Sequence, residues 1–169
     1  MVVHTALYDD ILGQNRPSLF ATPLAWAAAD FTGQLLAHAG QTPPHHTALI
    51  VVSDDCSLST IRELSRTATR GVVSPLRFAG ASPSIVTGLP ALEHGLRGPT
   101  LTLTMRPDRA SGAVAALIEH WFARSAIAAV IAVAHHETDA GRQLFKGFIA
   151  RGFDETVKQQ VLQLCRLRD

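Results

Sequence analysis

Apolar positions along this chain recur at several different spacings, and each spacing predicts an element. From Pro23 to His38 alanine and leucine dominate, and Pro23 sits where a first helical turn tolerates proline, so a helix is predicted there. Thr47–Ser53 (TALIVVS) is a short, β-branched apolar run and predicts a buried strand. Asp54 or Asp55 then caps a predicted helix reaching about Thr69, with Leu58, Ile61 and Leu64 on one face. Gly71–Gly80 lacks such a period and is expected to be extended or looped. Ser82 and Pro83 have the form of an N-cap and a first helical residue, opening a helix toward His94 that Gly95, Gly98 and Pro99 end.

Thr100–Met105 alternates strictly. Leu101, Leu103 and Met105 share one face and the threonines the other, which predicts a strand with one buried side. Ala110, Ala113, Val114, Leu117 and Trp121 make a single helical stripe. Ile127–Ala134 is almost wholly apolar and predicts a strand covered on both faces, followed by a polar bend from His135 to Gly141 and a mixed segment to Gly152. A last helix is predicted from about Asp154 to Arg168, with Val157, Val161 and Leu164 inward. From Thr47 onward the order is strand, helix, helix, strand, helix, strand, helix. An α/β layered fold with a mixed, partly parallel sheet flanked by helices follows.

Composition narrows the function classes. The 169 residues suit one domain with a real core. A formal net charge of +1 and the lack of a basic block argue against nucleic-acid binding. The apolar run near Ala126–Ala134 is too short to span a membrane, and MVVHTALYDD lacks the form of a signal peptide. Two cysteines, Cys56 and Cys165, make neither a disulfide framework nor a zinc site, so a reducing cytoplasm and no metal or other cofactor are expected.

Several segments, in order, carry a resemblance that runs from about Phe20 to Glu137. They are the strand Thr47–Ser53, Val73-Ser74-Pro75 followed by Phe78, the stretch Ser82–Gly88, GLRGPTLTLT at Gly95–Thr104, and Ala126–Glu137. Together they resemble the N-terminal half of a β-ketoacyl synthase, whose pattern includes "VSP…F", "N…AG" and "GLxGPxxTxx". The resemblance implies a partial thiolase-like fold over residues 1–169, with 141–169 an added C-terminal helical segment. It also implies that Gly98–Thr104 is an inner strand running into the helix Ala110–Trp121.

In that family the strand after Gly-Pro leads to a cysteine at a helix N-terminus, where the dipole lowers the thiol pKa and backbone N–H groups form part of an oxyanion hole. The matching stretch of this chain, Met105–Gly112, holds Arg-Pro-Asp-Arg and no cysteine. The family's two activating histidines, or histidine pair and lysine, belong to its second half, which the resemblance does not reach. An autonomous ketosynthase is therefore not expected.

Four residues remain as candidate acids, bases or nucleophiles. Ser111 is the nearest nucleophile-like side chain to the missing cysteine, but no base can be assigned to it, and a helix-start serine is the competing reading. Asp108 sits well at a helix start for electrostatic reasons alone. His135 and His136 end a predicted buried strand, where open α/β sheets place their sites, and strand alternation sends the two rings to opposite faces. Cys56, beside Asp54 and Asp55, reads as a small packed residue.

Two functions follow. The first is a ketosynthase-like accessory subunit in polyketide or fatty-acid biosynthesis, binding a full-length ketosynthase, an acyl carrier protein, or both, as a homo- or heterodimer. In the family the strand matching Thr100–Thr104 and the following helix build the dimer interface. The second is a small enzyme on acyl-carrier-bound intermediates (a dehydratase, isomerase or cyclase) using His135, His136, Asp108 and Ser111.

Overall fold

In the computed structural model, residues 3–8, 20–40, 42–124, 127–138 and 141–166 are described. The chain forms β1 (His4–Tyr8), α1 (Pro23–Ala39), β2 (Thr47–Val52), α2 (Leu58–Ala68), α3 (Pro75–Ala79), α4 (Ile85–Glu93), β3 (Thr100–Leu103), α5 (Ser111–Arg124), β4 (Ala129–Glu137), β5 (Gln143–Ala150) and α6 (Glu155–Cys165). The strands make one mixed sheet in the order β1-β5-β4-β2-β3. β2 is parallel to β3 and β4, while β5 runs antiparallel to both β4 and β1.

The apolar runs of β2 and β4 mark strands buried on both faces. Leu49, Val51, Ile131 and Val133 point into a layer with Phe31 and Leu35 of α1 and Val86 and Leu89 of α4. Ala48, Ile50, Val130 and Ala132 point the other way, toward Val114 and Ile118 of α5 and Val157, Val161 and Leu164 of α6. Each fully buried large side chain contributes roughly 1.5–3 kcal/mol, against about 1 kcal/mol for a hydrogen bond, so these two layers dominate stability.

Local chemistry sets the element ends. Thr22 Oγ1 accepts from Ala25 N at 3.1 Å and Pro23 opens α1. Asp154 Oδ1 accepts from Val157 N at 2.9 Å and starts α6. The turn Gly95-Leu96-Arg97-Gly98-Pro99 has a physical reason at each glycine. Gly95 has φ 64°, in the left-handed region, and a Cβ on Gly98 would lie 2.4 Å from the carbonyl oxygen of Thr47. The Pro99 carbonyl then accepts from Leu49 N at 2.9 Å and aligns β3 with β2.

Some elements differ from the sequence expectations. Gly71–Gly80 is not open throughout: Pro75–Ala79 is a helical turn with the Ser74 hydroxyl facing Arg77 N. α2 begins at Leu58, after a turn in which Cys56 takes φ 42°, so neither Asp54 nor Asp55 is its cap. α4 begins at Ile85, and the Ser82 hydroxyl bonds Ser84 at 2.7 Å rather than a helical N–H. The α5 stripe runs through Val114, Ile118 and Trp121, with Ala113 exposed.

β4 continues through His135 and His136 to Glu137, because β5 pairs with it residue for residue, His136 opposite Leu144. β5 replaces the mixed segment, and β1 is an addition to the expected elements. β3 is an edge strand, not an inner one, although it does lead into α5. Its leucines pack toward α5, and Thr102 bonds Thr87 of α4 at 2.9 Å, so both faces are partly covered, and among the described residues no strand pairs with its outer edge. No helix among the described residues is long and apolar enough to cross a membrane.

Candidate functional site

The chain leaves the carboxyl ends of the adjacent strands β2 and β4 in different directions, out to α2 and back into β5, which is where open α/β sheets form crevices. Ser53 follows β2 directly and His135 lies beside it near the end of β4. Ser53 Oγ and His135 Nδ1 are 2.9 Å apart, and His135 Nε2 is 2.6 Å from Gln143 Oε1 on β5. Gln143 Nε2 donates to the Gly141 carbonyl, which orients the amide. His135 Nε2 therefore carries the proton and donates, and the Ser53 hydroxyl donates to Nδ1. Ser53 Oγ in turn accepts from the N–H groups of Asp55 and Cys56 at 3.2 and 3.1 Å.

This chain of hydroxyl, imidazole and amide ties three neighbouring strands together. It has the spacing of a nucleophile and base, but Ser53 is 0% and His135 1% exposed, and two N–H donors already occupy the hydroxyl oxygen. Burial pushes the His135 pKa down, opposed by the bond to Gln143 and the charge of Asp55. Cys56 is buried and donates its S–H to the Ser53 carbonyl at 3.1 Å, and burial raises its thiol to about 11. It is a packed thiol, not a poised thiolate.

His136 points to the opposite face of the sheet. Its Nε2 donates to the Leu164 carbonyl at 3.0 Å, satisfying one of the last carbonyls of α6, and its Nδ1 has no partner among the described residues. Burial, with the nearby Lys146 charge, lowers its pKa; the Leu164 bond and the Asp54 and Asp108 charges oppose this. Asp108 faces solvent on that side, in a forked pair with Arg106 at 2.8 and 3.2 Å. Both partners are substantially exposed, so the pair contributes little. Ser111, half-buried, is the first residue of α5.

The four sequence candidates therefore do not converge. His135 joins Ser53 and Gln143 beneath α1 and α4, whereas His136 and Asp108 belong to the α5–α6 side. Ser53 and Gln143 escape sequence reasoning because only the pairing of β2, β4 and β5 brings them to His135. Among the described residues no cluster of three or more His, Cys, Asp or Glu could hold a metal.

No protein-family model matches this sequence, and no curated protein does. Solved structures share its architecture, among them ketosynthase and chain length factor proteins. The ishigamide ketosynthase/chain length factor superposes with a TM-score of 0.62 at 17% identity, over 82% of this chain and 47% of that one, so this chain spans about half of its length. A structure of the ketosynthase ApeO in complex with its chain length factor ApeC, from Xenorhabdus doucetiae, gives a TM-score of 0.63 at 12% identity, over 94% of this chain and 74% of that one. At such identities the likeness defines the fold, which is ketosynthase-like and hence thiolase-like.

Proposed function

We propose that this protein is a ketosynthase-like accessory subunit of polyketide or fatty-acid assembly, without condensing activity, that binds a partner synthase, a carrier-bound acyl chain, or both. One observation carries the reading. The fold is that of ketosynthase/chain length factor structures, yet the turn from β3 into α5 runs Arg106-Pro107-Asp108-Arg109-Ala110-Ser111, with no cysteine. A thiol nucleophile at that helix start is what the condensing reaction of the resembled family needs. The reading takes residues 1–169 as one domain, with α6 covering the sheet, and goes with a cytoplasmic location.

The open edge of β3 supports a partner chain. The carbonyls of Pro99 and Leu103 accept from Leu49 and Ser53 across β2, so the N–H groups of Thr100 and Thr102 face outward. A strand of a second subunit can pair there, in a homodimer or with a full ketosynthase. Native mass spectrometry of the protein alone, with a ketosynthase deprived of its own chain length factor, and with acyl carrier protein tests this. A stoichiometric complex lost in Thr100→Pro is expected, and a clean monomer with every partner at micromolar concentration sinks the reading.

The second reading is a dehydratase, isomerase or cyclase acting on acyl-carrier-bound substrates through His135, His136, Asp108 or Ser111. It draws support from His136 Nδ1, which has no partner among the described residues and belongs to a ring whose pKa burial lowers. The burial of both imidazoles weighs against it. Turnover of β-hydroxyacyl carrier substrates, abolished by His136→Phe, is its required result.

A further inference from the structure

Two buried polar groups on the α5–α6 side of the sheet have no hydrogen-bond partner among the described residues. One is His136 Nδ1 on β4, and the other is the side-chain amide of Gln160 on α6, at both its nitrogen and its oxygen. His136 is 1% and Gln160 3% exposed. Gln160 stands about one turn before Leu164 on the buried stripe of α6, and the Leu164 carbonyl accepts the His136 Nε2 hydrogen bond at 3.0 Å. An unsatisfied amide in an interior offsets part of what Val157, Val161 and Leu164 contribute by burial. α6 is therefore less firmly seated than its apolar stripe alone implies.

β4 cannot yield around the His136 ring, because it is paired with β2 on one side and β5 on the other. α6 belongs to no strand ladder, so it can lift while the sheet stays whole. Several groups face the ring. Lys146 of β5, 4% exposed, lies opposite Ala134, the neighbouring β4 residue on the same face. Asp108 stands before α5 and Asp54 after β2, and α6 brings the Cys165 thiol, which burial pushes up to about 11 and so keeps uncharged. α5 presents Val114 and Ile118 to this layer, neither of which can titrate. Burial, then the Lys146 charge, push the ring's pKa down against the Leu164 bond and the two carboxylates, and the balance lies below 6.5. A proton on Nδ1 makes it a buried donor with no acceptor among the described residues.

We propose that His136 is an acid-operated latch for α6: protonation of Nδ1 lifts the helix and uncovers the apolar layer of Ala132, Phe148, Val114 and Ile118, while the strands stay paired. With α6 lifted the ring meets water and its pKa returns toward 6.5, so protons favour the open form below that value and the closed form prevails above it. His135 has no such part, because it lies on the other face with both nitrogens bonded, to Ser53 and Gln143. The latch needs neither a partner subunit nor an acyl substrate, so it stands apart from both functional readings.

Amide exchange of the full chain, expressed as protection factors at pH 7.5 and 5.5, tests this on the unaltered protein. The α6 amides should exchange ahead of those of β2 and β4, with little dependence on added urea, and their protection should fall about tenfold over that interval, as one linked proton supplies. Cys165, carried by α6, should be labelled at pH 5.5 by an acid-tolerant pyridyl disulfide ahead of Cys56, which is packed on the other face. His136→Gln keeps an N–H for the Leu164 carbonyl and takes up no proton, so α6 protection by this opening should no longer depend on pH. If that variant does not fold, the exchange pattern and the Cys165 labelling of the unaltered chain decide. Protection of α6 that does not fall with pH overturns the proposal. So do α6 amides that exchange in step with β2 and β4 at pH 5.5, or a fall that persists in folded His136→Gln.

Discussion

Ser53 holds more of the molecule together than its size suggests, because one hydroxyl serves His135 Nδ1 and the N–H groups of Asp55 and Cys56. Ser53→Ala leaves all three without that partner in the interior and should cost about 2–3 kcal/mol, read as a lower urea midpoint with unchanged slope. A loss under about 0.5 kcal/mol contradicts the assigned tie. The two histidines set a pH dependence of definite sign. Both are buried and hold their pKa below the ordinary value of 6.5, so the unfolded chain binds protons more readily than the folded one. Their contribution is complete above about pH 6.5 and is lost as pH falls from there through the depressed folded values, at up to about 1.4 kcal/mol per pH unit for each. Urea titrations from pH 7.5 down to 5.5 should show this fall, and His135→Asn with His136→Asn should flatten it. The buried thiols of Cys56 and Cys165, both raised to about 11, should resist a thiol-specific disulfide reagent at pH 8 until denaturant is added. One fast-reacting native thiol refutes that placement.

At the scale of elements, close backbone approach decides what the turns accept. Gly98→Ala drives a methyl into the Thr47 carbonyl, where the backbone on both sides is locked into β2 and β3. The expected loss is about 1–3 kcal/mol, the range for overpacking, and thermal unfolding measures it. Gly33→Ala meets the His94 ring, which bonds the Ala29 carbonyl at 2.8 Å, so it should loosen α1 against α4 by less, since a side chain can swing away. Elements with strong periods are legible in the sequence: α1, β2, α5 and α6 lie close to where their apolar stripes predict. β1 and β5 are not. β5 reads QLFKGFIA, with Lys146 and Gly147 in the middle, and nothing in so mixed a run says strand until β4 lies alongside. Gly147 is required there by space, since its Cβ would sit 2.7 Å from Leu35 Cδ1 and 2.8 Å from Phe31 Cε1.

For the whole molecule, the outer edge of β3 has no strand beside it among the described residues. Thr100→Pro removes an outward N–H and should abolish strand pairing with a partner subunit while leaving the unfolding midpoint nearly unchanged.

Taken by itself, the order of residues determined the helix–sheet–helix layering, because runs apolar on every side can be buried only between two layers. It also carried the GLRGP turn, where one glycine must turn left-handed and another must leave room for a carbonyl, and it showed the absence of a cysteine before α5. Alternation along β4 sends His135 and His136 to opposite faces. What those rings touch depends on contacts between distant parts of the chain. Only strand pairing set Ser53 and Gln143 against His135, and only the packing of α6 placed the Leu164 carbonyl over His136. The edge position of β3 was likewise decided in three dimensions, because a strand's own alternation reports which faces are covered and carries no record of whether a neighbour lies beside it.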